Sequence, residues 1–116
     1  MADNSNTLSS KARAALRSLA QSLSPVVMVG QQGITEGVIG ALDEALKDHE
    51  LVKVRFQDFK EQTRDLSAEL AEKTSSLLVS TTGFTAVFYR VNPEKRAYES
   101  VLRSARIRGT GSRSVK

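Results

Sequence analysis

The sequence predicts an α+β domain of two layers, in which helices cover one face of a four-stranded mixed sheet. Three observations lead to this fold class: three segments repeat apolar residues at helical spacing, short strand-like runs follow them, and a glycine-containing turn joins the last two runs. The resulting order is α-β-α-β-α-β-β, which two layers accommodate with right-handed crossovers between parallel strands. A chain of 116 residues with 40% apolar residues is long enough to bury one core.

The first helix and the first strand are predicted before the first glycine of the chain. Residues 8 to 22 repeat leucine and alanine at helical spacing, with Thr7 or Ser9 as the capping residue, and Pro25 follows the end of this segment. Residues 25 to 29 are mostly β-branched, which favours a short buried strand.

The second helix is predicted over residues 35 to 48, with Thr35 as its N-cap. Strict alternation follows in the second strand, so that Lys53 and Arg55 face an open, basic side of the sheet. The residues on the opposite, core-facing side of this strand are Val52, Val54 and Phe56.

The third helix is predicted over residues 60 to 75, with an acidic outer face that repels nucleic acid. Residues 77 to 90 predict two strands joined at Thr82-Gly83. The composition after Gly109 predicts disorder. A short docking helix is expected before it, with the apolar residues Tyr98, Val101, Leu102 and Ala105.

The composition excludes several classes of function. The chain has no Cys for disulfides or thiolate metal sites, and His49 alone cannot form a multi-His metal site. The adjacent carboxylates Asp43 and Glu44 fall on a solvated helix face without a nucleophile or nucleotide motif nearby, so we expect no enzyme activity and no cofactor. The N-terminus lacks the basic and apolar blocks of a secretion signal, and no apolar stretch is long enough to span a membrane. We therefore expect a cytoplasmic protein that makes no membrane contact.

Basic residues concentrate towards the C-terminus. Residues 91 to 116 hold seven basic and two acidic residues, a net charge of +5, whereas the remaining ten basic and eleven acidic residues sum to −1. A basic arm on a nearly neutral body is typical of proteins that bind nucleic acid. The same pattern also fits a solubilising or disordered end.

The segment from Val29 to Thr35 contains a Gly-x-x-Gly loop between the first strand and the second helix. Gly30 and Gly33 carry no side chain, so the backbone N–H groups of this loop could approach phosphate oxygens closely. The following helix directs the positive end of its dipole to the same place. A strand-to-helix turn without a ligand is the alternative interpretation.

The candidate nucleic-acid contacts combine this loop with basic residues elsewhere in the chain. Tyr89 could stack on a base, although packing is the other interpretation of an aromatic residue at a strand end. Arg13 and Arg17 of the first helix could contact phosphates, and the alternative is that both are ordinary solvated arginines. The predicted contacts are Gly30, Gln31, Gln32, Gly33 and Thr35 in the loop and Lys11, Arg13, Arg17, Lys53, Arg55, Arg90, Lys95 and Arg96 around it.

Several segments together resemble the CRM domain, the chloroplast RNA splicing and ribosome maturation module, and especially its stand-alone bacterial YhbY-type form. The similarity follows the same order along the chain and is more specific than the glycine loop alone. The segments are Leu8 to Lys11, Leu19-Ala20, Pro25 to Val27, Gly30 to Val38, His49 to Val54, Gly83, and Val87 to Arg90.

The resemblance implies an RNA-binding fold similar to the C-terminal domain of translation initiation factor three, in which Gly30 and Gly33 contact the RNA backbone. It also implies that the partner is ribosomal RNA or a precursor of the large ribosomal subunit during ribosome assembly. We predict a flexible N-terminus over residues 1 to 7, a CRM-type domain over residues 8 to 91 and a basic, partly disordered arm over residues 92 to 116, acting as a monomer. The alternatives are a protein-interaction adaptor that docks through the arm, and an RNA-binding factor in splicing or translation.

Overall fold

The computed structural model describes residues 8–103, and its elements follow the predicted order. Ser9 caps the first helix and Thr35 caps the second through their side-chain oxygens, as predicted. The helices are α1 (Ser10–Ala20), α2 (Glu36–His49) and α3 (Thr63–Lys73), the last preceded by a 3₁₀ turn at Lys60–Gln62. The strands are β1 (Val27–Val29), β2 (Leu51–Phe56), β3 (Leu77–Thr82) and β4 (Thr85–Tyr89).

The strands form one mixed sheet in the order β1-β2-β4-β3. β1 and β2 are parallel, whereas β4 runs antiparallel to both β2 and β3. Val29 therefore pairs with Phe56, and Arg55 pairs with Thr85 directly after the hairpin turn. The ends of β1 and β2, the start of α2 and the β3–β4 turn consequently meet at one end of the sheet, which we call the loop end. The predicted α+β fold class with a four-stranded mixed sheet is confirmed.

α2 and α3 cover one face of the sheet and bury the main core there. β2 contributes Val52, Val54 and Phe56 to this core, as its alternation predicts. Leu42 and Leu70 pack against them from the two helices. Full burial of side chains of this size stabilises a fold by about 1.5–3 kcal/mol each.

The expectation that the helices lie on one face of the sheet is wrong for α1, which packs on the opposite face. β3 and β4 carry apolar side chains on both faces, because Val79, Val87 and Tyr89 belong to a second buried cluster away from α2 and α3. Leu16 and Ala20 of α1 complete this cluster and remove its apolar surface from water. The domain therefore has three layers, with the sheet in the middle.

Arg13 fastens α1 to the edge strand β3. Its Nη1 donates hydrogen bonds to the carbonyl oxygens of Leu78 at 2.6 Å and Val79 at 2.8 Å. These carbonyls lie where the β3–β4 register shifts between Leu78 and Ser80, and such a bulge disrupts the regular ladder of hydrogen bonds. Arg13 therefore has a structural contact within the fold, and its predicted phosphate contact stays a prediction.

Arg90 is also engaged within the fold. Its Nη1 donates to Asp43 Oδ1 at 2.8 Å and to the Thr74 carbonyl at 2.6 Å, and its Nη2 donates to the Asp43 carbonyl at 3.1 Å. These bonds connect the residue after β4 to α2 and to the end of α3. Arg90 therefore has a structural role, and its predicted phosphate contact stays a prediction.

The Arg90 guanidinium, chiefly through its hydrogen bond, holds the pKa of the Asp43 carboxyl below its ordinary value. The pairing therefore stabilises the fold above the pKa of the unfolded chain, and this contribution is lost as the pH falls through the folded value. We expect Asp43→Asn to lower the free energy of unfolding by about 1 kcal/mol or less at pH 7. The difference from wild type should shrink below about pH 4. Thermal unfolding at a series of pH values measures it, and a difference that does not change with pH would contradict this role.

The chain after β4 is held against the body of the domain by Glu50, which is fully buried. The Glu50 carboxylate accepts the N–H of Asn92 at 2.5 Å through Oε2 and the N–H of Ala97 at 2.7 Å through Oε1. The side chains of Asn92 and Lys95 donate to carbonyl oxygens in the last turn of α2. Residues 92–97 thus cap the C-terminal end of α2, where backbone carbonyls lack partners within the helix.

Tyr98 continues this docking on the face that carries α1. Its ring meets the buried Tyr89 edge to face, with ring centroids 6.2 Å apart, so the packing interpretation of Tyr89 is the one that the structure supports. Burial, followed by the negative charge of Glu50, raises the pKa of the Tyr89 hydroxyl. Residues 99–103 are helical, as predicted for the docking helix. Ala105 and the segment after Gly109 lie outside the described residues.

Candidate nucleic-acid interface

The Gly-x-x-Gly loop folds as a tight turn that leads directly into α2. The Gly33 N–H donates to the Gly30 carbonyl at 3.0 Å, and the Thr35 N–H donates to the Gly33 carbonyl at 3.1 Å. Gly33 has a φ of +75°, which residues with a side chain rarely adopt. Thr35 Oγ1 then accepts the Val38 N–H at 3.1 Å. Gly33 is therefore required by the conformation of the turn itself.

The loop and the first turn of α2 leave several backbone donors without an acceptor. Among residues 8–103, no atom accepts a hydrogen bond from the backbone N–H groups of Gln31, Gln32, Glu36 and Gly37. Both glutamines are exposed, and a Cβ atom built on Gly30 would meet nothing within 4 Å. N–H groups at the start of a helix carry partial positive charge, which favours an anion there. The loop can therefore admit a phosphate close to its backbone.

The segment after β2 runs beside this loop. The Gln57 N–H donates to the Val29 carbonyl at 2.8 Å, immediately before the first glycine. Further along, the Phe59 ring lies so close to Gly33 that a Cβ atom there would be 3.6 Å from it. The sequence analysis missed Phe59, because nothing in its local pattern distinguishes it from a phenylalanine of the core.

The β3–β4 turn also reaches this segment. Phe84 at the turn is 46% exposed, and Lys60 Nζ lies 4.6 Å from the centroid of its ring. This distance is within the range of a cation–π interaction. The sequence analysis missed both residues. An available signal for Phe84 is its position directly after Gly83, since turns favour small and polar residues.

Arg55 brings a cation to the loop end, one residue before β2 finishes. It is exposed, and across the parallel pair it lies opposite Met28, which is exposed as well. Lys53 lies two residues earlier and is half-buried. Alternation along β2 directs both cations to the face opposite the main core, as predicted, although α1 covers part of that face.

Comparison with known proteins identifies the family of this chain. Residues 8–90 match the CRS1/YhbY (CRM) domain. The chain belongs to this family. The resemblance noted from its sequence segments is thereby confirmed.

Proteins similar to this CRM domain carry names that refer to RNA. An RNA-binding protein of Haemophilus influenzae is 38% identical over 91 residues, which cover 78% of this chain and 92% of that protein. The probable RNA-binding protein YqeI of Bacillus subtilis is 36% identical over 93 residues, covering 79% and 97% of the two chains. The solution structure of a hypothetical Staphylococcus aureus protein, described as a candidate RNA-binding protein, has a TM-score of 0.65 at 36% identity. That similarity covers 72% of this chain and 88% of the other.

Several predicted contacts of the CRM domain lie away from the loop end. Lys95 and Arg96 follow β4 at the opposite end of the sheet, where Lys95 Nζ donates to the Asp48 carbonyl at 2.8 Å. The 14 residues of α2 separate that point from the glycine loop, a length of about 21 Å. Lys11 and Arg17 are exposed on α1. The predicted residues that the structure brings to the loop end are Gly30, Gln31, Gln32, Gly33, Thr35 and Arg55.

The described part of the CRM domain offers few other kinds of site. Within residues 8–103, no helix is long and apolar enough to cross a membrane. Nor do these residues group three or more His, Asp or Glu side chains in a way that could hold a metal ion. The chemistry gathered at the loop end comprises backbone N–H groups, neutral amide side chains, cations and two phenylalanine rings, together with the carboxylates of Glu36, Asp58 and Glu61.

Proposed function

We propose that this chain binds RNA by holding the sugar-phosphate backbone at the loop end of the sheet. The observation that carries this function is the juxtaposition of open backbone N–H groups at residues 31–32 and 36–37 with the cations of Arg55 and Lys60. The names of its relatives, which describe RNA-binding proteins, favour RNA as the polyanion.

The residues of the loop suit a phosphate group. Gly30 leaves space beside the backbone, so N–H groups can donate to phosphate oxygens in charge-assisted hydrogen bonds. Gln31 and Gln32 add neutral donors, and Thr35 acts indirectly because its hydroxyl fixes the start of α2. Such contacts respond to the shape and backbone of RNA more than to its base sequence.

The proposed partner is ribosomal RNA in precursors of the large subunit, bound during ribosome assembly, as the similarity to the YhbY-type form implies. Crosslinking in cells followed by sequencing of the bound RNA tests this choice. Reads concentrated in large-subunit precursor RNA are expected, whereas reads in introns or messenger RNA would favour splicing or translation. Ribonuclease should also release the chain from large-subunit particles. Association that survives ribonuclease would favour the protein-interaction adaptor.

Gly30→Asp provides the direct test of the loop. Because Gly30 has open space at its Cβ position and an ordinary φ, the variant should fold with a melting temperature close to that of wild type. A carboxylate about 4 Å from a phosphate costs between about 1 and 4 kcal/mol, depending on exposure. We therefore expect RNA affinity to fall at least about fivefold in a fluorescence anisotropy titration.

Gly40→Asp is the matched control for Gly30→Asp. It adds the same charge at another glycine with no atom within 4 Å of its Cβ position, but on the exposed face of α2 beyond the first turn. RNA affinity should change little, because phosphate contact is confined to the helix start. Equal losses in both variants would mean that the added charge acts through the net charge of the chain, and the loop would lose its proposed role. Gly33 is unsuited to this test, since its positive φ makes any substitution strained.

A further inference from the structure

The phenylalanines of this chain fall into two environments. The chain has four, of which Phe56 and Phe88 are fully buried in the main core. Phe59 and Phe84 are 37% and 46% exposed, and both lie at the loop end. Since exposing an aromatic ring forgoes the stabilisation of burying it, a pair of exposed rings beside a polar site points to a role in binding.

The backbone holds Phe59 in a conformation that is unusual for a bulky residue. Its φ of +56° and ψ of +42° are left-handed. Asp58 Oδ1 accepts the Phe59 N–H at 2.9 Å, and the Phe59 carbonyl accepts the Gln62 N–H at 3.0 Å. The ring packs beside Gly33, which places an aromatic surface next to the glycine loop.

Phe84 projects from a turn whose backbone is fixed by the sheet. Its carbonyl accepts the Phe56 N–H at 2.7 Å, and Gly83 before it supplies the positive φ of the turn. Lys60 Nζ lies over the Phe84 ring, 4.6 Å from its centroid, so a cation and an exposed aromatic ring are next to each other. Lys60 directly follows Phe59, and this segment therefore connects the glycine loop to the hairpin turn.

We propose that Phe84 stacks on an unpaired RNA base, with Phe59 and Lys60 beside it, while the phosphates of the same strand lie at the glycine loop. This inference rests on the proposed RNA-binding function and specifies its substrate as single-stranded RNA. An apolar protein partner would use the rings alone, whereas a nucleotide uses the ring, the ammonium group and the backbone N–H donors together. Bases within a duplex are already stacked on each other and cannot reach the ring.

The test compares Phe84→Leu with the wild-type full chain. The probes are a fluorescein-labelled RNA oligonucleotide of mixed sequence and the same oligonucleotide annealed to its complement. Leucine keeps an apolar side chain at the turn, so the melting temperature should remain close to wild type. Loss of one base–aromatic stack should weaken binding of the single strand about tenfold and leave binding of the duplex unchanged. An oligonucleotide with 2-aminopurine should also lose its fluorescence quenching in the variant.

Val91→Ala is the control for removing exposed apolar surface, because Val91 is 44% exposed and follows β4 at the opposite end of the sheet. It should bind both RNAs like wild type. If Phe84→Leu binds the single strand like wild type while Gly30→Asp weakens it, RNA binding stands and the stacking role is overturned. Equal losses for single strand and duplex would likewise overturn it. A wild-type chain that binds neither RNA would overturn the proposed function itself.

Discussion

The affinity of this chain for RNA is expected to fall about tenfold between 50 and 200 mM monovalent salt if the two loop-end cations, Arg55 and Lys60, each neutralise one phosphate. Each neutralised phosphate releases counterions from the RNA, so added salt opposes binding in proportion to the number of contacts. Titrations over a salt series measure this number as the slope of log affinity against log salt concentration. An affinity indifferent to salt would contradict an interface built on phosphate contacts.

Single substitutions can assign the salt dependence to particular cations. Arg55→Gln and Lys60→Gln each remove one charge at the loop end and should each reduce the slope by about 0.7 to 0.9. Lys73→Gln is the matched control, since it removes a charge in the last turn of α3, beside an acidic outer face. Its slope should equal that of wild type. Unchanged slopes for the two loop-end variants would place the RNA on another surface.

The parts of the fold that local chemistry determines could be predicted from the sequence. Thr35 begins α2 because its hydroxyl accepts a backbone N–H that has no acceptor within the helix, and this contact spans only the four residues from Thr35 to Val38. The third helix begins later than its periodicity predicts, at Thr63 instead of residue 60. The left-handed conformation of Phe59 first leads the chain into a short 3₁₀ turn at Lys60–Gln62. The position of α1 could not be predicted locally, because both faces of β3 and β4 are apolar and only the assembled sheet shows which face α2 and α3 leave uncovered.

The residues of the candidate site also divide into those that local sequence predicts and those that only the assembled sheet brings together. Gly33 is visible in the sequence, because the turn needs a residue without a side chain there, whereas Gly30 has an ordinary φ and open space at its Cβ position. Phe84 reaches the same place only through the register that pairs Arg55 with Thr85, and this register is not written in any local pattern. The carbonyl contacts of Arg13 could not be predicted for a related reason: an arginine that binds backbone carbonyls has the same sequence pattern as one that binds a phosphate.

Glu50→Ala is expected to lower the free energy of unfolding by about 3 kcal/mol. The sequence analysis gave no sign that this residue is important for stability. The carboxylate accepts N–H groups from both Asn92 and Ala97, and hydrogen bonds to charged groups contribute about 1.5–3 kcal/mol each. The desolvation of the buried carboxylate offsets part of this contribution. Urea unfolding followed by circular dichroism measures the loss. His49→Ala is the control at the preceding, exposed position and should change stability by less than about 0.5 kcal/mol.

Glu50→Gly separates the carboxylate from the backbone that carries it. Glu50 has a φ of +66° and a ψ of −42°, a strained combination for a residue with a side chain. Glycine adopts it readily, so Glu50→Gly should be less destabilised than Glu50→Ala by about 1 kcal/mol or more, although both lose the same hydrogen bonds. If the two variants are equally unstable, strain at this position contributes little. If both are as stable as wild type, the hydrogen bonds from Asn92 and Ala97 to Glu50 do not hold the chain after β4 to the domain.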